Sequence, residues 1–133
     1  MDLIKEQQRQ GFRQRLFSYT IRLLKFLVKL AYNPVINEVK KQLTRSGTSI
    51  GANYFESEAA SSKKDYQNYY SHSLKSANET KYWLCCLKSV NLVPNGVLEE
   101  WNWLFNETKE LANIFASSIM TMRGKKNRKF EDF

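Results

Sequence analysis

Apolar residues return at helical spacing in four separate stretches, which predicts four helices. The first covers about residues 12–32. Phe12, Leu16, Tyr19, Leu23, Phe26, Leu27 and Leu30 form one stripe along it. Phe17, Ile21, Leu24, Val28 and Ala31 form a second stripe on the adjoining arc. At 100° per residue the joint apolar arc spans roughly 220°, about twice what a helix buried only in its own bundle needs. The excess predicts a further contact. Another subunit is the simplest occupant, with a membrane surface or a partner protein as the alternatives. Arg15, Arg22, Lys25 and Lys29 recur at intervals of 7, 3 and 4 and form a separate basic stripe.

Asn33 and Pro34 predict the start of the second helix, with Asn33 as the cap and Pro34 at the first helical position. Val35, Ile36, Val39, Leu43, Ser46, Ile50 and Asn53 continue it. The run from Ser46 to Ala52 is poor in helix formers. It is read as helix because small residues permit close approach of a neighbour. Ser62 and Asp65 have capping-box spacing and open the third helix, which runs to about residue 92. Tyr66, Tyr70, Ser73, Ala77, Leu84 and Leu87 share its apolar face, with Leu74 and Trp83 beside them. Pro94, Asn95 and Gly96 make a turn, and Asn95 is expected to cap the fourth helix. Val97, Trp101, Leu104, Leu111, Phe115, Ile119 and Met122 form the fourth stripe, which Gly124 is expected to end. The expected fold is all-α, an up-down-up-down antiparallel four-helix bundle over residues 12–122. Residues 1–11 form an N-terminal extension and 123–133 a charged C-terminal tail.

The length of 133 residues fits one domain with a core that needs no metal or disulfide. Only two prolines and five glycines argue against a many-turned β-sandwich. No run of 18 apolar residues is present, so no membrane association is expected, and the start lacks an apolar signal core. Cys85 and Cys86 are adjacent, which excludes an ordinary disulfide between them and offers no metal spacing. Buried reduced thiols in a cytoplasmic protein are the expectation.

The formal net charge of +8 is unevenly placed. Residues 1–45 carry ten Lys and Arg against three acids, residues 46–122 six against eight, and residues 123–133 five against two. Arg15, Arg22, Lys25, Lys29, Lys40, Lys41 and Arg45 are therefore the candidate phosphate contacts, joined by Lys125, Lys126, Arg128 and Lys129 of the tail. The competing reading is a solvated basic face.

Signatures of reaction chemistry are missing. The chain has no phosphate-binding glycine loop, no nucleophile elbow and no Glu-x-x-His pair for a di-iron site. His72 is the only histidine and has no local partner. Glu56, Glu58 and Glu79 are carboxylates of the kind that serve in salt bridges and caps. No catalytic residue, cofactor or metal is expected. Tyr66, Tyr69, Tyr70, Trp83, Trp101 and Trp103 are spaced for a core or subunit interface rather than for base stacking.

One segment is more distinctive. Arg45, Ser46, Ser49, Ile50, Ala52, Asn53 and Glu56 are followed by Lys64-Asp65-Tyr66 and then by Glu79-Thr80-Lys81-Tyr82-Trp83-Leu84. This pattern resembles the bacterial four-helix bundle family of 23S rRNA intervening-sequence proteins. The motif covers about residues 42–84. Ser76 and Asn78 stand where acidic residues are common in that family, and Tyr66 stands in place of the more frequent Phe. The resemblance implies antiparallel bundles assembled as homopentamers around a central channel. A more distant likeness is to the accessory protein of diversity-generating retroelements, which works with a reverse transcriptase. Arg45, Ser46, Ser49, Asn53, Glu56, Asp65 and Glu79 are the motif positions. They either form a polar patch for a partner or fix helix packing, with Ser46 and Ser49 permitting close approach. In the packing reading Asn53 and Glu56 bond between helices, and Arg45 pairs with Glu79 or Asp65.

The expected function is a non-enzymatic oligomeric scaffold that binds nucleic acid, RNA favoured, by charge. The alternative is an adaptor for an acidic protein partner with no nucleic-acid role.

Overall fold

The computed structural model describes residues 2–124. Four helices account for most of them: α1 (Asp2–Lys29), α2 (Pro34–Ser57), α3 (Lys63–Ser89) and α4 (Leu98–Met122). No strand occurs among the described residues. The expected tail cations Lys125, Lys126, Arg128 and Lys129 lie outside them.

The first helix begins ten residues earlier than the apolar pattern predicts. Residues 3–10 are exposed and mostly Lys, Glu, Gln and Arg, good helix formers that need no apolar face. At its other end α1 stops at Lys29, and the Lys40 ammonium donates to the Leu30 carbonyl at 2.8 Å. Asn33 caps α2 as expected, its Oδ1 accepting from the Val35 and Ile36 amides. Ser46 through Ala52 is helical. Ser62 caps α3 by accepting from the Asp65 amide at 3.0 Å. The Asp65 carboxylate reaches back to the Ser61 amide and hydroxyl, one residue beyond the usual reciprocal partner.

Two helix ends differ from expectation. Helix α3 closes at Ser89 because Asn91 adopts a left-handed conformation, φ 59°. The Leu92 amide then bonds to the Leu87 carbonyl and the Asn91 amide to the Lys88 carbonyl, both at 3.1 Å, a Schellman stop. Asn95 makes no side-chain cap for α4. It starts a 3-10 turn (Asn95–Val97) whose backbone leads into the helix. Gly124, with φ 71°, does stand just past the end of α4.

Contacts between named residues fix the topology. Arg13 of α1 meets Glu58, just past α2, while Lys40 near the start of α2 meets Leu30. Ile50 and Ser46 of α2 meet Ser73 and Thr80 of α3. Trp101 of α4 donates to the Leu84 carbonyl of α3, and Tyr70 packs edge-on to Phe115. Arg15, Tyr19 and Arg22 of α1 meet Glu107, Thr108 and Glu100 of α4. Each neighbouring pair runs antiparallel, so the order is up-down-up-down and α4 returns to α1. The core holds Leu16, Tyr19, Leu23 and Phe26 of α1 and Leu43 and Ile50 of α2. Ala77, Leu84 and Leu87 of α3 and Leu104, Leu111 and Phe115 of α4 complete it. Thr80, Glu107 and Thr108 are buried among them, three polar positions the apolar pattern passes over.

At Gly47 the side chain of Leu23 from α1 occupies the space that a Cβ would take. A Cβ placed there would lie 2.0 Å from Leu23 Cδ2. The second apolar stripe of α1 is left outside the core. Phe17 and Val28 are 63% and 83% exposed. Cys85 is exposed and Cys86 half-buried, contrary to expectation. The buried face of α3 runs through Leu84 and Leu87, and the next residue turns about 100° outward.

Candidate nucleic-acid interface

Cations become available to phosphate only where the fold leaves them without carboxylates. The predicted basic stripe divides sharply on that test. Arg15 forms a two-pronged bond with Glu107 at 2.7 and 2.8 Å and also reaches Glu110 at 3.1 Å. Glu107 is almost fully buried, so this guanidinium compensates a charge inside the bundle. Arg22 grips both oxygens of Glu100 at 2.6 and 2.9 Å and lies 3.4 Å over the Trp103 ring. That hydrogen bond, outweighing the opposing effect of burial, holds the Glu100 carboxyl below its ordinary pKa. The two pairs clamp α1 to α4.

Arg45 pairs with Glu79 across α2 and α3 and donates to Gln42 at 2.9 Å. Glu79 also accepts the Trp83 indole N–H at 3.0 Å. Lys40 is held at the Leu30 carbonyl and Lys41 by Glu38 at 3.4 Å. Lys25 and Lys29 alone of the seven candidates are exposed with no bonded partner among the described residues. Arginine in this chain thus works mainly as an internal clamp, a use suited to its planar fork.

The motif residues mostly serve packing. Ser46 is fully buried and its hydroxyl shares a 3.0 Å hydrogen bond with the Thr80 hydroxyl. Ser49 donates to the Arg45 carbonyl and Asn53 to the Ser49 carbonyl. These bonds stay within α2, so the expected inter-helix bond of Asn53 is not formed. An i−4 carbonyl lies closer to a short side chain than any neighbouring helix does. Glu56 is exposed and makes no hydrogen bond or ion pair among the described residues. Asp65 is a cap residue. The motif positions are not brought into one polar patch.

A different basic group was hidden in the sequence. Lys81 and Lys88 lie two turns apart on the side of α3 that meets α4. The Lys88 ammonium sits 4.5 Å over the Trp101 ring, which stacks on Phe105 with centroids 5.0 Å apart. Lys109 of α4 lies 5.8 Å from the Phe105 ring centre, and burial first, with the charge of Lys109 second, holds the Lys81 ammonium below its ordinary pKa. Charge counting misses this group because residues 46–122 sum to an acidic total. Four of those eight acids face elsewhere: Glu100, Glu107 and Glu110 toward α1, and Glu79 toward α2.

Elsewhere, a cleft of about 420 Å³ at one end of the bundle is lined by Arg9, Arg13, Tyr54, Ser57, Glu58 and Tyr66. Its central cation is already paired, Arg13 with Glu58. His72 is exposed. No group of three His, Cys, Asp or Glu among the described residues is placed to hold a metal ion. None of the described helices is long and apolar enough to cross a membrane.

Comparison with known proteins places these features in context. A family model described as 23S rRNA-intervening sequence protein matches residues 13–117. A 1.70 Å crystal structure of a protein of unknown function from Bacteroides thetaiotaomicron, assigned to the S23 ribosomal protein family, is 34% identical. Its fold matches with a TM-score of 0.69 over 80% of this chain and 96% of that one. Among curated proteins, none matches.

Proposed function

Since the chain belongs to the 23S rRNA-intervening sequence protein family, we propose that it is a non-enzymatic homo-oligomeric scaffold that binds nucleic acid, RNA in preference, through a basic surface. The observation that carries this reading is the outer face of α1. Phe17, Ile21, Leu24 and Val28 follow one another at spacings of 4, 3 and 4, the seam of a helix with a helical partner. The stripe continues toward the N-terminus through Gln14, Gln10, Gln7 and Leu3 on the same spacing. Within one chain Phe17 and Val28 stand exposed and Ile21 and Leu24 half-buried, and Phe55 of α2 adds to the stripe across the cleft that also holds Gln10, Gln14 and Phe17. A second copy is the occupant, in a ring of five as the family resemblance implies.

Lys25 and Lys29 adjoin this stripe on the solvent side. Assembly repeats such a weak cationic group around the ring and multiplies its grip on one polyanion by avidity. Contacts of this kind position a nucleic acid without reading its sequence. A cytoplasmic setting, where RNA is abundant and thiols stay reduced, fits the exposed Cys85.

The test is fluorescence anisotropy of labelled structured RNA from about 50 to 200 mM salt. Affinity that falls by a slope of several ions supports the reading. Absence of binding at the low-salt end removes it and leaves the bundle architecture standing.

A further inference from the structure

The cleft beside the start of α3 gathers side chains from three helices: Arg9 and Arg13 of α1, Tyr54 and Ser57 of α2, and Tyr66 of α3, with Glu58 just past α2. Its volume of about 420 Å³ lies within the roughly 300–1,000 Å³ typical of small-molecule sites. Nearly every polar side chain on its walls is already bonded. The Ser57 hydroxyl donates to the Tyr54 carbonyl, Ser62 accepts from the Asp65 amide, and Tyr66 shares a 2.9 Å bond with the Tyr70 hydroxyl. Glu58 is gripped by Nε and Nη2 of Arg13. Tyr54 is the exception. It is only 6% exposed, yet its hydroxyl forms no hydrogen bond among the described residues. A side chain so buried ordinarily has its polar atom paired. Burial first and the Glu58 charge second hold this hydroxyl above its ordinary pKa, so it is a neutral O–H donor near neutral pH. Glu58, Arg13 and Arg9, whose charges act on it, all stand on the cleft walls. Two cationic edges remain open beside it. Arg13 uses Nε and Nη2 on Glu58 and leaves Nη1, while Arg9 uses only Nη1, on Glu6 at 3.2 Å. Ser62 caps α3, so the positive end of that 27-residue helix adjoins the cleft.

We propose that this cleft binds a nucleoside monophosphate, its phosphate taking the Tyr54 hydroxyl and the open guanidinium edges of Arg9 and Arg13, its base lying against Tyr66. A phosphate monoester brings about two negative charges and three strong acceptor oxygens, enough for one hydroxyl and two guanidinium donors at once. The cleft is larger than a phosphate alone fills, and the half-buried Tyr66 ring offers a wall for a planar group. A free mononucleotide and the 5′-phosphorylated end of an RNA strand both present this group. Only the second source rests on the function proposed above.

Tyr54→Phe removes the hydroxyl alone and breaks no bond among the described residues, so its melting temperature should match wild type. Binding of 5′-AMP to the full chain is followed by NMR titration, with adenosine and inorganic phosphate as partial probes. 5′-AMP is expected to saturate, and each partial probe to bind at least about tenfold more weakly. Tyr54→Phe is expected to weaken 5′-AMP about tenfold or more, the scale of one hydrogen bond to a charged group, and Arg9→Gln to weaken it in the same direction. Equal affinity of Tyr54→Phe and wild type, or shifts that never saturate, overturn the site even where RNA binds elsewhere. A nuclear Overhauser contact between Tyr54 and Phe130 or Phe133 in the ligand-free chain also overturns it, because the chain's own tail then fills the cleft. Two short RNAs that differ only in a 5′-phosphate separate the sources. A preference for the phosphorylated strand that Tyr54→Phe abolishes assigns the cleft to RNA ends. Equal binding of both strands, with 5′-AMP still saturating, assigns it to the free nucleotide. Saturable 5′-AMP with no RNA binding at all removes the proposed function and leaves the cleft site standing.

Discussion

Gly47 and Gly51 lie one turn apart on α2, both buried, yet the same substitution should move stability in opposite directions. A Cβ at Gly47 would sit 2.0 Å from Leu23 Cδ2 and 3.4 Å from Leu23 Cγ. Leu23 is fully buried, so its side chain has no solvent to swing into. Overpacking of this kind costs about 2–3 kcal/mol, against a helix-propensity gain of about 1 kcal/mol for Gly→Ala, leaving a net loss of about 1–2 kcal/mol. At Gly51 the nearest atoms would be Thr20 Oγ1 at 3.5 Å and Leu16 Cβ at 3.6 Å, ordinary contact distances. Only the propensity gain remains there, about 0.5–1 kcal/mol. Thermal unfolding followed by far-UV circular dichroism should show Gly47→Ala melting about 4–7 °C below wild type and Gly51→Ala about 2–3 °C above it. Gly47→Ala melting at or above wild type would refute the claim that close approach of α1 and α2 is what requires glycine there.

Three further outcomes follow from the bundle. The Thr108 hydroxyl donates to the Leu104 carbonyl, so the buried Tyr19 hydroxyl is the donor in their mutual bond. Thr108→Val should therefore cost about 1–3 kcal/mol in urea unfolding, and adding Tyr19→Phe should recover part of it. Glu100 has its folded pKa depressed below its ordinary 4.5 by Arg22, so this pair stabilises the fold above that pH and its contribution fades as pH falls through the folded value. Arg22→Met should flatten that acid limb in a pH series of melts, and an unchanged limb would mean the pair contributes nothing. If the proposed α1 interface forms, Val28→Glu, at a position 83% exposed in one chain, should leave the helical spectrum intact and lower the oligomer mass in sedimentation velocity.

The helices were legible because core spacing is a local property. Residues 46–52 illustrate this: weak formers such as Ser, Thr and Gly became helix because Ser46, Gly47, Ile50 and Gly51 face a neighbour. The N-terminal ten residues show the converse, a helix built on propensity with no apolar stripe to announce it. Caps were readable where the acceptor is a neighbour in sequence, as at Asn33 and Ser62, and unreadable at Asn91, where the signal is a backbone angle. The site was less legible. Arg15 and Glu107 are 92 positions apart, so a stripe of basic residues looked open when the fold closes much of it. The same blindness hid Lys81 and Lys109 inside a segment whose summed charge is negative. Net charge by segment counts residues, whereas phosphate meets only the charges that tertiary pairing leaves over.

Native mass spectrometry of the full chain with a structured RNA tests the central claim most directly. The expected species is a closed oligomer, five copies by the family resemblance, that retains RNA at low ionic strength and sheds it as salt rises. A spectrum of bare 15.7 kDa monomers, unchanged when RNA is added, would contradict both the α1 interface and the nucleic-acid scaffold.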